Sequence, residues 1–204
     1  MKTDNPVLPL GYSDMPPGTI ATVVTCLEMR ERPQLPLNST DDALTLRHWH
    51  QPDLNEYREL FRNIGAQWLW SARLTMSDEK LASILNDPRV AIYILKDAGR
   101  RIGLLELDFR HDNECELAYF GLVEDSVGKG AGRFLMTHAI EKAWARPIDR
   151  FWVHTCHLDS PAALPFYKRM GFTPYKIMVE VLDDPRRSGV VPNTAAPQVP
   201  LIGL

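Results

Sequence analysis

The sequence is poor in the features that mark several protein classes. It has three cysteines, Cys26, Cys115 and Cys156, far apart and with no CxxC pair. That argues against a zinc site or a disulfide framework, so no metal is expected and a reducing cytoplasm is the natural compartment. No stretch approaches the 18 or so apolar residues that a spanning helix needs. The opening Met-Lys-Thr-Asp-Asn-Pro is followed by no apolar core of signal-peptide type. Neither sign of charge dominates: 23 Lys and Arg against 26 Asp and Glu give a net charge of −3. A general nucleic-acid binder would need a basic face, so neither nucleic acid nor a membrane is an expected partner. Internal repeats and low-complexity tracts are also missing.

What is present fits one α/β domain. The 204 residues are 45% hydrophobic and 24% charged, ordinary values for a globular chain of that length. Proline is unevenly spread, with six of the 16 before Leu37 and four after Asp184. The expected division is therefore a proline-rich arm over 1–40, a compact domain over 41–183 and a proline-rich tail over 184–204. The β-branched run Thr19 to Cys26 predicts one added strand in the first arm. Apolar Val190, Val191, Val199 and Leu201 favour a tail wrapped on the body. Within the domain, Leu44 to Arg47 reads as a strand and Asp53 to Ile64 as a helix, with Leu54, Tyr57, Leu60 and Phe61 at helical spacing. Ser77 opens a capping-box helix through Leu85. Val90 to Leu95, Arg101 to Phe109 and Glu114 to Val123 form an antiparallel meander. A helix from Gly130 to about Trp144, a strand from Phe151 to Cys156, a helix from Pro161 to Met170 and a strand from Pro174 to Val181 complete the order.

The sharpest local feature is Val127-Gly-Lys-Gly-Ala-Gly-Arg133 between a strand and an amphipathic helix. Glycines at 128, 130 and 132 let the backbone turn tightly and approach an anion. The helix directs free N–H groups and its positive dipole end at the loop, and Lys129 and Arg133 add charge. The expected ligand group is a pyrophosphate. GxxxxGK[ST] is absent, and the dinucleotide pattern GxGxxG fails because residue 133 is arginine.

The stretch Leu122 to Leu135 resembles motif A of the GNAT acyltransferase superfamily, [QR]xxGxG/A, with Val127 where glutamine or arginine is usual. Ser160-Pro-Ala-Ala-Leu-Pro-Phe-Tyr-Lys-Arg-Met-Gly-Phe172 is similar to motif B, NxxAxxxYxxxGF, with Ser160 in the asparagine position. Ser160 can cap the helix, Pro161 suits its first turn and Gly171 its left-handed exit; Pro165 removes an early helix bond and can tilt the start. The resemblance spans Leu44 to Val181. It implies an α/β (α+β) GNAT fold, a mixed, mostly antiparallel sheet splayed at Leu122 and flanked by helices. It also implies acetyl-coenzyme A as cosubstrate, bound by Leu122, Val123, Val127, Gly128, Lys129, Gly130, Ala131, Gly132, Arg133, Ser160 and Tyr167. The implied reaction is N-acetylation of a small-molecule or peptide amine in a ternary complex. A non-catalytic acyl-coenzyme-A-binding module and the use of another acyl group are the alternatives, and a homodimer is left open.

An alkyl amine of pKa ~10.4 is protonated at pH 7, so a base is needed. Glu116 is the first candidate: it lies eleven residues before Val127, the spacing at which GNAT histone acetyltransferases carry their glutamate base. On a regular strand it would share a face with Leu122. His154 is the second, since histidine titrates in the right range. The resemblance makes Tyr167 the acid for the leaving thiolate. Trp68 and Trp70 fall in the stretch that borders the acceptor cleft in this family. His48-Trp-His50 lacks the further ligands of a metal site.

Overall fold

The computed structural model describes residues 7–34 and 43–202. Its strands are β1 (Thr19–Met29), β2 (Leu44–His48), β3 (Val90–Asp97), β4 (Arg100–Asp108), β5 (Glu114–Leu122), β6 (Arg150–Cys156) and β7 (Thr173–Asp183). The helices are α1 (Leu54–Gly65), α2 (Ala72–Thr75), α3 (Asp78–Leu85), α4 (Ala131–Ala143) and α5 (Ala163–Arg169). One seven-stranded sheet runs in the order β2-β3-β4-β5-β6-β1-β7. Every neighbouring pair is antiparallel except β5 and β6, which run parallel. This is the α/β architecture expected, a mostly antiparallel open sheet flanked by helices.

The two faces are built by alternation along the strands. On β4, Leu104 packs with Tyr57, Phe61 and Ile64 of α1 and Leu81 of α3, while Leu105 and Leu107 pack with Leu135, Met136, Ala139 and Ile140 of α4. The helices start where their caps dictate. The Asp53 carboxylate accepts from the N–H groups of Asn55 and Glu56 at 2.9 and 3.0 Å, and the Ser77 hydroxyl accepts from Lys80 at 3.3 Å.

β1 comes from the proline-rich arm, yet it lies inside the sheet. It pairs with β6 over Val24–Met29 and with β7 over Thr19–Glu28. The tail wraps against its start. Arg186, only 4% exposed, donates to Asp184 and to the carbonyl oxygens of Ala195, Ala196 and Val199. Val191 and Ala196 close a small third core with Ile20, Leu69 and Leu158. A guanidinium with five donors can satisfy several carbonyls of an irregular chain at once, which is how a tail without regular structure buries its backbone.

α5 begins later than the Pro161 start predicted. Ser160 sits in a turn, its carbonyl accepting from Ala163 at 2.8 Å and its hydroxyl from Ala162 at 3.3 Å. Pro165 consequently falls in the third helical position, where an N–H has no intrahelical acceptor, and it breaks nothing. At the other end Gly171 has φ +101°. Phe172 donates to Tyr167 and Gly171 to Lys168, both at 3.1 Å, which closes the helix in a Schellman turn.

Candidate active site

β5 and β6 pair only at their starts, over Glu114↔Arg150, Cys115↔Phe151 and Glu116↔Trp152, although both strands continue. The sheet therefore opens from Glu116 onward, six residues before the Leu122 expected. A bulge in β5 governs what faces the opening. Leu107 pairs with Leu117 and Glu106 with Tyr119, so Ala118 is the extra residue. A bulge reverses the alternation beyond it. Glu116 thus shares a face with Tyr119, on the α1 side, whereas Phe120 and Leu122 pack on the α4 side. The regular-strand reasoning that put Glu116 and Leu122 on one face is corrected by this inserted residue.

Glu116 and His154 meet where the sheet parts. His154 Nδ1 lies 3.5 Å from Glu116 Oε1, an ion pair when the ring is protonated, and the side chains are 35% and 16% exposed. The Glu116 carboxylate raises the His154 pKa above its ordinary 6.5, against a lowering from burial. Glu180 and Asp159 add smaller contributions in the same direction.

On the opposite face, Tyr167 is 7% exposed and packs against Phe120, Phe166 and Phe172, with ring centroids 6.2, 5.9 and 5.9 Å away. Burial pushes its phenol pKa well up, so the group stays protonated at all physiological pH. The carboxylate–imidazole pair thus lies on one face of the parting sheet, and a protonated phenol packs against Phe120 of β5 on the other.

The glycine loop follows β5. Val123 donates to Ile102 at 2.9 Å, so the alternating ladder turns the main-chain groups of Leu122 and Phe120 away from β4, toward the opening. Arg100 holds the loop's start, with two bonds to Asp125 at 2.8 and 3.0 Å and one to Ser126 at 3.3 Å. Gly128 and Gly130 have φ +82° and +86°, with open space where a Cβ would sit. The glycines are therefore required by conformation and not by crowding. From Gly128 to Arg133, six successive N–H groups donate to no acceptor among the described residues. Val127, Lys129 and Arg133 are exposed around them, Ala131 is buried at the start of α4, and Gly132 follows it beside Leu122 and Phe166. Unpartnered donors, a helix start and two cations fit an anionic group such as a pyrophosphate.

On the α1 side of the opening, Trp70, one of the two tryptophans expected near the acceptor, meets side chains that the sequence did not single out. Trp70 stacks near Phe61 and Tyr119, each 5.4 Å away by centroid, and donates its indole N–H to Asp159 at 3.2 Å. Asp159 also accepts from the Thr155 hydroxyl at 2.7 Å and the Cys156 N–H at 2.9 Å. Trp70 and Asp159 thereby bridge β5 to β6 across the gap. Below them Glu106, fully buried, accepts from Tyr57 at 2.7 Å and from Arg73, whose guanidinium lies 5.0 Å from the Tyr119 ring centre. Burial pushes the Tyr119 hydroxyl up to about 12. A glutamate inside Gly103-Leu-Leu-Glu-Leu107 was a visible signal, since a lone carboxylate in an apolar strand needs a buried partner. The bulge had no such signal.

The remaining sequence candidates lie elsewhere or are subdued. His48 and His50 sit at the end of edge strand β2, with ring centroids 3.7 Å apart. No group of three metal-ligating side chains occurs among the described residues. Burial raises the Cys115 and Cys156 pKa values, which makes either a poor nucleophile. Among the described residues no helix is long and apolar enough to cross a membrane.

Comparison with known proteins agrees with this fold. Solved structures share the fold at low sequence identity. A GNAT-family protein from Novosphingobium aromaticivorans superposes with a TM-score of 0.58 at 17% identity, covering 87% of this chain and 69% of that one. A conserved protein of unknown function from Staphylococcus epidermidis gives 0.57 at 13% identity; 82% of this chain is covered, and the chain spans 63% of that protein's length. An aminoglycoside acetyltransferase from an uncultured soil sample gives 0.50 at 17% identity, covering 65% of this chain and 90% of that one. No curated protein shows significant sequence similarity. The profile of the Acetyltransferase (GNAT) family matches residues 45–172, which takes in the meander, the glycine loop, α4, β6 and α5. The chain belongs to the GNAT acetyltransferase family.

Proposed function

We propose that this protein is an N-acetyltransferase that moves the acetyl group of acetyl-coenzyme A to an amine of a small molecule or peptide in the cytoplasm. The observation that carries the reading is the run of free N–H groups from Gly128 to Arg133, in the loop that follows β5, with Gly132 beside Leu122 and Phe166. Gly128 through Arg133 would hold the pyrophosphate, with Lys129 and Arg133 supplying charge and Val127 only main-chain groups. Leu122 and Val123 would bind the pantetheine arm through their backbone. Ser160 shapes the turn that sets α5, and with it Tyr167, against this arm.

The acceptor approaches from the α1 side, past Trp70 and Tyr119. Its nitrogen attacks the thioester carbon, a C–N bond forms and the amine proton passes to Glu116, directly or through water, with His154 as the adjoining acceptor. A strand N–H turned into the opening, that of Phe120 or Leu122, stabilises the oxyanion. The C–S bond then breaks, and the thiolate takes the Tyr167 proton. Desolvation that raises the phenol pKa raises the affinity of the nearby thiolate for a proton as well, so the transfer stays matched.

Tyr167→Phe tests the acid directly. The ring and its packing remain, so the fold and coenzyme A affinity are expected to persist while kcat falls about 10²-fold or more. Stopped-time assays of thiol release with purified variant and wild type measure this. Unchanged kcat would return Tyr167 to a packing role.

A further inference from the structure

An open cavity of about 900 Å³ lies between α2 and the C-terminal end of β7. Ser71, Ala72 and Thr75 form one wall, and Glu180 and Leu182 form the floor. The rest comes from Pro17 and Gly18 of the first arm and from the tail between Asp184 and Ile202. Apart from the α2 wall, these segments fall outside the stretch 45–172 that the family profile matches. Two observations join the cavity to the reacting centre. Ile20, Cys156 and Leu182 pack in one small core with Leu69 and Leu74, on the α1 side of the sheet, and alternation puts His154 and Glu180 on that face with them. The Glu180 carboxylate accordingly raises the pKa values of both His154 and Tyr119. Ser71 follows Trp70, whose ring packs on Tyr119. The cavity thus continues, beyond Trp70 and Tyr119, the route that leads to Glu116.

Charge sets what such a cavity holds. Glu180 and Asp183 are exposed, and neither makes a hydrogen bond or ion pair among the described residues. Asp184 is neutralised by Arg186. The only cation among the described lining residues, Arg187, donates to the Ile202 carbonyl at 2.9 Å, at the tail end of the cavity. We infer that this cavity is the acceptor subsite and that it selects a diamine or polyamine, whose protonated amino group rests on Glu180 while a neutral one reaches Glu116. The inference rests on the acetyl-transfer reading above. An ammonium group leaving water needs a full opposite charge, which an unpaired carboxylate supplies and the hydroxyls of Ser71 and Thr75 do not. An amine without a second charge would cover Glu180 and leave it unpaired, so the same carboxylate that favours the dication disfavours its uncharged analogue. An acceptor bearing a carboxylate there would meet like charge.

A series of α,ω-diaminoalkanes and the n-alkylamines of equal chain length tests this, by isothermal titration into the coenzyme A complex and by acetylation rates. At the length that fits, the diamine is expected to bind about tenfold more tightly than the monoamine, with the gain in KM rather than in kcat. Glu180→Gln is expected to erase that ratio and Glu180→Lys to invert it. The side chain is exposed, so the melting temperature is expected to stay within a degree or so, roughly, of wild type. Equal binding and acetylation of diamine and monoamine by the wild type overturns the inference and leaves the acetyl-transfer reading standing. A diamine preference that survives Glu180→Gln overturns it as well. Diamine binding that depends on Glu180, with no amine acetylated, upholds the dication site and overturns the acetyl-transfer reading instead.

Discussion

Gly130→Asp is expected to weaken coenzyme A binding at least 100-fold, corresponding to about 2.7 kcal/mol or more. Two effects combine. The carboxylate would sit among the six free N–H groups and take the place of the anion they await. The backbone at residue 130 has φ +86°, where a side chain is strained by about 1 kcal/mol. Gly130→Asn separates the two, because asparagine tolerates the left-handed region and carries no charge. Its expected affinity lies between wild type and Gly130→Asp, with a melting temperature close to that of the aspartate variant. Isothermal titration of coenzyme A measures both. If Gly130→Asp binds as tightly as wild type, the loop does not hold the pyrophosphate.

The second large effect is expected at the carboxylate–imidazole pair. Glu116→Gln keeps the shape but accepts no proton, so kcat/KM at neutral pH is expected to fall about 10²–10⁴-fold. The loss should shrink at high pH, where more of the amine arrives neutral. The sign of the pH dependence follows from His154. Its pKa is raised, chiefly by Glu116, so in the free enzyme the pair sheds its proton only above 6.5 and kcat/KM climbs with pH through that raised value. Without Glu116 the imidazole loses the partner that holds its proton, and its titration moves down. Stability shifts the opposite way. The His154–Glu116 ion pair supports the fold below the unfolded histidine value of 6.5 and is lost as pH rises through the raised folded one. Glu116→Gln is therefore expected to lower stability more at acid than at alkaline pH. His154→Gln made in parallel assigns the base: if it lowers kcat/KM at neutral pH more than Glu116→Gln does, the roles are reversed.

Much of the fold was legible because local chemistry and packing agree along most of the chain. Asp53 and Ser77 mark helix starts that their carboxylate and hydroxyl enforce, and the meander from Val90 to Leu122 shows in alternation and turns. The strand in the proline-rich arm was legible as a strand, but not its place between β6 and β7, because pairing partners 122 to 164 residues away leave no local trace. The glycine loop was legible because positive φ demands glycine. The facing of Glu116 was not, since one bulged alanine reverses the alternation and alanine carries no bulge signature. The Trp70–Asp159 bridge was hidden for a similar reason: it joins residues 89 apart, and neither is unusual in its own neighbourhood.

The central claim is that this chain transfers acetyl groups to amines and does not merely bind the thioester. The most direct measurement incubates purified protein with isotopically labelled acetyl-coenzyme A and a library of primary amines, following free thiol release and product mass together. The account predicts an amine that gains one labelled acetyl group in step with thiol release, with both signals reduced together in Tyr167→Phe. Saturable binding of acetyl-coenzyme A with no labelled amine, and thiol release no faster than in buffer, would contradict it and leave a binding module.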